Sequence, residues 1–137
     1  MKIILAVCCL CLVFGGCTMF DGDKSEIETL ITEWSKVNPS TIGGPSELKN
    51  IKEIKEIRIG EITDSKWNKL GCKDCKETEA TLVGLTTEGI TENIVYQLRK
   101  LDGKWVMTAW EVIGKNKGAC YPPIDWDVIN ARKSLQP

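Results

Sequence analysis

Histidine is absent from the 137 residues, which removes the commonest general base and the commonest metal ligand at neutral pH. Nor is there a basic patch interleaved with aromatic residues. The 18 basic residues stand against 19 acidic ones, and so balanced a chain gives phosphate no electrostatic footprint. Nucleic acid is therefore not an expected partner. Long apolar runs are missing too, apart from Ile3 to Phe14, about a dozen residues where a membrane-crossing helix takes ~20. Of the seven cysteines, Cys8, Cys9 and Cys11 lie within that apolar run and Cys17 just after it; beyond them no second Cys-x-x-Cys accompanies Cys72-Lys73-Asp74-Cys75. Cys120 would bring the thiols to three, one short of a structural zinc site, so neither a metal nor a cofactor is expected.

What is present begins with an address. Lys2, the apolar run and the small pair Gly15-Gly16 have the layout of an export signal, which takes no part in the fold. Val13-Phe14-Gly15-Gly16-Cys17 resembles the lipobox of bacterial lipoproteins, with Phe14 where leucine is usual. The resemblance implies cleavage before Cys17 and a diacylglycerol on its sulfur. Because Thr18 is not the aspartate that retains many such proteins at the inner membrane, it also implies a domain on the periplasmic face of the outer membrane, or on the outer face of a single membrane. The chain then divides into a signal (1–16), a lipidated cysteine with a polar tether (17–24) and one α+β domain (25–137), long enough for one core and too short for two. Only Lys2 among the basic residues leaves with the signal, so 17 positive charges face 19 negative ones.

Ser25 and Glu28 have capping-box spacing, and Ile27, Leu30, Ile31, Trp34 and Val37 fall on one helical stripe that Asn38-Pro39 ends. Residues 40–46 read as a connector. Between Leu48 and Ile62 two periods mix: Leu48, Ile51, Ile54 and Ile57 are three apart, while Ile57 and Ile59 alternate. The reading is a strand from about Ile54 after a helical turn, its Lys and Glu on a solvated face. A polar connection over 63–77 follows. Residues 78–87, 91–101 and 104–113 then read as strands joined by turns at Glu88-Gly89 and Asp102-Gly103, an antiparallel meander. Residues 114–123 read as a loop, and Asp125 caps a short helix from Trp126 to about Ser134.

Register at Asp102-Gly103 decides which side chains share a face. A two-residue turn pairs Leu101 with Lys104, Leu98 with Met107 and Tyr96 with Ala109, lining the core with Ile94, Tyr96, Leu98, Trp105, Met107 and Ala109. A three-residue loop with a bulge brings Val106, Thr108 and Trp110 across from Leu98, Tyr96 and Ile94 instead. The first buries Trp105 and Met107 with less polar surface lost. The fold class is α+β, an N-terminal helix packed on a curved antiparallel sheet of about four strands with a short C-terminal helix. The run Leu98-Arg99-Lys100-Leu101-Asp102-Gly103-Lys104-Trp105-Val106-Met107, after a capped helix and a Lys/Ile-rich strand, resembles the closing hairpin of cystatin-like, or NTF2-like, domains of small bacterial lipoproteins. That resemblance implies a binding or assembly module more than an enzyme.

A redox Cys-x-x-Cys should open a helix in a βαβ unit, where the helix end lowers the thiol pKa. Here the motif precedes an antiparallel strand, which favours a structural disulfide. Cys72–Cys75 is the leading pairing, with Cys120 left as a free thiol; a bridge from either cysteine to Cys120 stays open. The candidate pocket is Tyr96, Trp105 and Glu111, which share a face in the two-residue register, where a carboxylate against aromatics gains basicity. No second acid, base or nucleophile joins them, so no catalytic residue is assigned. Trp34 and Trp105 fall at core positions, whereas Trp67 and Trp110 are candidates for an exposed, sugar-platform-like contact surface. The expected function is a membrane-tethered binding or assembly module of a cell-envelope complex, with a protein partner and no catalysis. The alternatives are a small-ligand enzyme using the helix–sheet pocket and a periplasmic inhibitor or immunity protein.

Overall fold

The computed structural model describes residues 22–37 and 51–135, without the side chain of Lys69. The expected signal, Cys17, the first part of the tether and the connector at 40–46 lie outside these residues. The first helix, α1 (residues 22–36), starts three residues before the expected capping box. Tertiary contacts explain the extra turn. The Asp23 carboxylate accepts hydrogen bonds from Lys100 Nζ at 2.7 Å and Trp105 Nε1 at 3.1 Å, and Glu26 accepts from the Trp105 backbone N–H. Ser25 is thereby placed inside the helix, where its carbonyl accepts from Thr29 Oγ1. The apolar stripe is as the spacing demands: Ile27, Leu30, Ile31 and Trp34 are fully buried and Val37 nearly so, each such side chain stabilising by roughly 1.5–3 kcal/mol.

An antiparallel sheet follows: β1 (Ile51–Ile59), β2 (Thr63–Asp64), β3 (Lys76–Thr86), β4 (Thr91–Leu101), β5 (Lys104–Val112) and β6 (Asn116–Ile124), in the order β1-β3-β4-β5-β6 with β2 also paired to β3. It is wider than the expected four strands because β6 forms where Gly118, Pro122 and Pro123 read as a loop. Proline cannot donate to a ladder and is tolerated on an edge strand, which is where β6 lies. The described residues thus form an α+β unit with an N-terminal and a C-terminal helix, the latter being α2 (Trp126–Ser134), capped by the Asp125 side chain on Val128 N–H.

The mixed period of β1 has a geometric cause. Its ladder with β3 shifts register twice, leaving Lys52 and Lys55 as extra residues. Each bulge sets two residues against one, so isoleucines three apart return to the same face: Ile51, Ile54, Ile57 and Ile59 stand opposite Thr86, Gly84, Leu82 and Ala80. Gly84 makes room for this, since a Cβ there would lie 2.7 Å from Ile51 Cδ1. A helix-like spacing is a twice-bulged edge strand.

Asp102 and Gly103 both have positive φ, 50° and 77°, as a two-residue type I′ turn requires. Leu101 pairs with Lys104 and Leu98 with Met107, the first of the two registers. Thr108 is then left unpaired, and beyond it Tyr96 faces Trp110 rather than Ala109. One core results, with both helices on one side of the sheet over Leu82, Ile94, Tyr96, Met107 and Ile124. Lys133 of α2 and Glu33 of α1 join the helices by an ion pair at 2.7 Å.

Candidate functional site

The helix-covered face leaves the expected pocket no opening. Tyr96 and Trp105 are 0% and 1% exposed in the core, and Glu111 is exposed on the other face. The Thr108 bulge is the reason: it moves Trp110 onto the core-facing row opposite Tyr96 and sets Glu111 opposite Val95. Tyr96, Trp105 and Glu111 are therefore not brought together. Trp110 is half-buried against the core, over Gly118, where a Cβ would approach its ring to 2.9 Å; it is packing rather than platform. Cys120, on β6 and not in a loop, is a buried free thiol whose pKa burial pushes up to about 12. Burial, and secondarily Cys120, raise Tyr96 well above the ordinary phenol value. These groups stay neutral and protonated at physiological pH.

On the opposite face, among the described residues, no α-helix covers the sheet. Thr81, Val83, Leu85, Val95 and Ala109 are half-buried there. Glu111 pairs with Lys117 across β5 and β6 and lines a depression of about 480 Å3 around Val95 and Ala119. The more built feature lies toward β1. After Gly60 the chain forms β2 and a 3-10 helix (Lys66–Leu70), then returns through the cysteine turn into β3. This excursion contributes little to the core but is heavily tied. Ser65 Oγ caps the 3-10 helix on Trp67 N–H and donates to Glu77 at 3.0 Å; Ser65 N–H donates to the Cys75 carbonyl and Cys75 N–H to Asn68 Oδ1, both at 2.8 Å. Gly71, left-handed at φ 96°, ends the helix with its N–H on the Trp67 carbonyl. Cys72 and Cys75 close a disulfide, with Cα atoms 5.7 Å apart, so the Cys-x-x-Cys pair is the staple of this turn. Lys76 and Asp64 pair across β2 and β3, which raises the ammonium pKa.

The product of these ties is one aromatic side chain. Trp67 is 38% exposed, and the Arg99 guanidinium lies 5.1 Å from its ring centroid, a stacking that holds both groups in place. Around them lies a concavity of about 540 Å3 whose polar wall includes Glu61, Thr63, Glu79, Gln97 and Thr108. Thr108, extruded by the β5 bulge, donates to the Gln97 carbonyl at 3.2 Å, so the same irregularity that displaces Glu111 furnishes this wall. Trp67 was readable as an exposed aromatic. Its companions were not, because Arg99, Gln97 and Glu79 look like ordinary solvated positions of alternating strands until the excursion folds back over them. No group of His, Cys, Asp and Glu among the described residues has metal-binding geometry. Comparison with protein-family models, curated proteins and solved structures gave no match, so the functional reading rests on this geometry.

Proposed function

We propose that the chain is a binding or assembly module of the cell envelope, of cystatin-like or NTF2-like kind, tethered by lipid at Cys17 and engaging a protein partner through the uncovered face of its sheet. The observation that carries this reading is the asymmetry of the sheet. One face is sealed by two helices, while the other keeps Val83, Leu85, Val95 and Ala109 half-open with no α-helix above them among the described residues. Partly exposed apolar side chains set among polar neighbours such as Thr81, Asn93 and Glu111 are the mixed surface that a non-obligate interface uses. The signal-like residues 1–16 followed by Cys17 support the address.

Photo-crosslinking residues placed at Val83 and Val95 in living cells test the surface, with Asn130 on the exposed side of α2 as the comparison. The expected result is a discrete adduct from the sheet positions and none from Asn130; indistinguishable adduct patterns from both faces would sink the reading. For the tether, Cys17→Ala should move the protein from the detergent phase to the aqueous phase. Equal partitioning of the two would remove the anchor.

A further inference from the structure

We propose that the concavity beside Trp67 is a carbohydrate site that takes an uncharged oligosaccharide. This goes beyond the assembly reading and stands on different residues, requiring neither the tether nor a protein partner.

Three observations lead there. The first is preorganisation. Trp67 is fixed by hydrogen bonds at its own N–H and carbonyl, by a disulfide a few residues on and by Arg99 against its ring. An indole held this firmly yet 38% exposed adds little to the core, whereas a rigid aromatic surface lowers the ordering cost of binding. The second is charge. Glu61, Glu77 and Glu79 line the concavity with Lys66 and Arg99, so it is mildly acidic and presents no cationic cluster to phosphate or carboxylate. A cation finds one indole face already occupied by a guanidinium. The remaining class is neutral and polar.

The third is the kind of hydrogen-bonding group available. Within the described residues the side chains of Glu61, Glu79 and Gln97 make no hydrogen bond or ion pair, and they stand with Thr63 and Thr108 around the aromatic. Carboxylates accept from hydroxyls, and an amide both donates and accepts; adjacent sugar hydroxyls present that pairing. The C–H-rich face of a pyranose carries weak positive charge and suits the negative face of an indole. A folded apolar peptide would want a greasy pocket, which this wall of carboxylates, amide and hydroxyls does not provide. The volume of about 540 Å3 lies within the range of small-ligand sites, ~300–1,000 Å3, and accommodates a few sugar rings.

The test is titration of the full chain, in a detergent without a sugar head group, with cellotetraose and with chitotetraose, following tryptophan emission. Saturable binding of at least one is expected, weakened at least about tenfold by Trp67→Ala and within about threefold of native in Trp67→Phe. Gln97→Ala, which leaves the Trp67 excursion intact, should weaken it about threefold or more. Absence of saturable binding to both sugars, binding unchanged in Trp67→Ala, or tighter binding of heparin than of either neutral sugar would overturn the assignment. Such a failure would leave the crosslinking result at Val83 and Val95 untouched, so the two proposals fail separately.

Discussion

On one side of the sheet Ile27, Leu30, Ile31 and Trp34 meet Leu82, Ile94, Tyr96 and Met107 with almost no solvent between them. On the other, Val83 and Val95 stay half-open, and the part-exposed Trp67 is held by capping hydrogen bonds, a disulfide and a stacked guanidinium. Order on the first side comes from removing apolar area from water, which is non-directional and accumulates over many residues. Order on the second comes from a few directional contacts in a short excursion. Stability and recognition are thus separable here, and substitutions should sort by side.

The largest effect belongs to the covered side. Trp105→Ala leaves a cavity and strips Asp23 of its indole partner; a loss of about 3–5 kcal/mol is expected in urea unfolding, and a loss under ~1 would break the contrast. Gly84→Val comes next, because its side chain would collide with Ile51. About 1–3 kcal/mol is expected, with α1 still docked by near-ultraviolet circular dichroism. Reduction of Cys72–Cys75 opens only a small ring, so it should cost no more than ~2 kcal/mol of global stability. Proteolysis should then find the 66–75 excursion exposed while β3 to β6 stay protected. An unfolding transition that collapses on reduction would mean that the excursion, not the core, holds the fold.

The smallest effect sharpens the join between helix and hairpin. Burial alone would raise the Asp23 carboxyl, but hydrogen bonds from Lys100 and Trp105 and the nearby charges of Lys100 and Lys76 outweigh it and hold the pKa below the ordinary aspartate value. A depressed carboxyl contributes stability that is present above its unfolded pKa and lost as pH falls through the folded one. Asp23→Asn should therefore cost about 1 kcal/mol near neutral pH and flatten the loss below pH ~4. Parallel acid-unfolding curves for native and variant would show the ion pair to be incidental.

Much of the covered side was legible. A stripe at Ile27, Leu30, Ile31, Trp34 and Val37 can be satisfied only by a helix on a core, and Asp102-Gly103 names its own turn. What escaped were the departures from period. Lys52 and Lys55 are bulged out of β1, and nothing local distinguishes their isoleucine neighbours from a helical face. Thr108 does the same in β5 and reverses the facing of Glu111, so a pocket built on strict alternation could not survive. β6 was hidden by its prolines. The site beside Trp67 depends on a chain reversal that brings Trp67 over Arg99, 32 positions away in sequence, a proximity no local pattern records. The cysteine pair was legible as a staple, though not what it holds.

The docking of Asp23 on Lys100 and Trp105 also fixes a direction. α1 begins at the end of the sheet where β4 turns into β5. Lys76 pairs with Lys100 at that same end, so the Trp67 excursion rides there too. The turns at Gly89 and Gly114, with Ile90 and Ile113 each 51% exposed, lie at the far end, roughly 33 Å away along strands of about ten residues. Cys17 precedes Gly22 by five positions, a leash of at most ~18 Å. Under the proposed anchor at Cys17, that leash would keep the Trp67 end of the sheet nearer the bilayer than the isoleucine-bearing turns on average, without fixing the tilt of the domain.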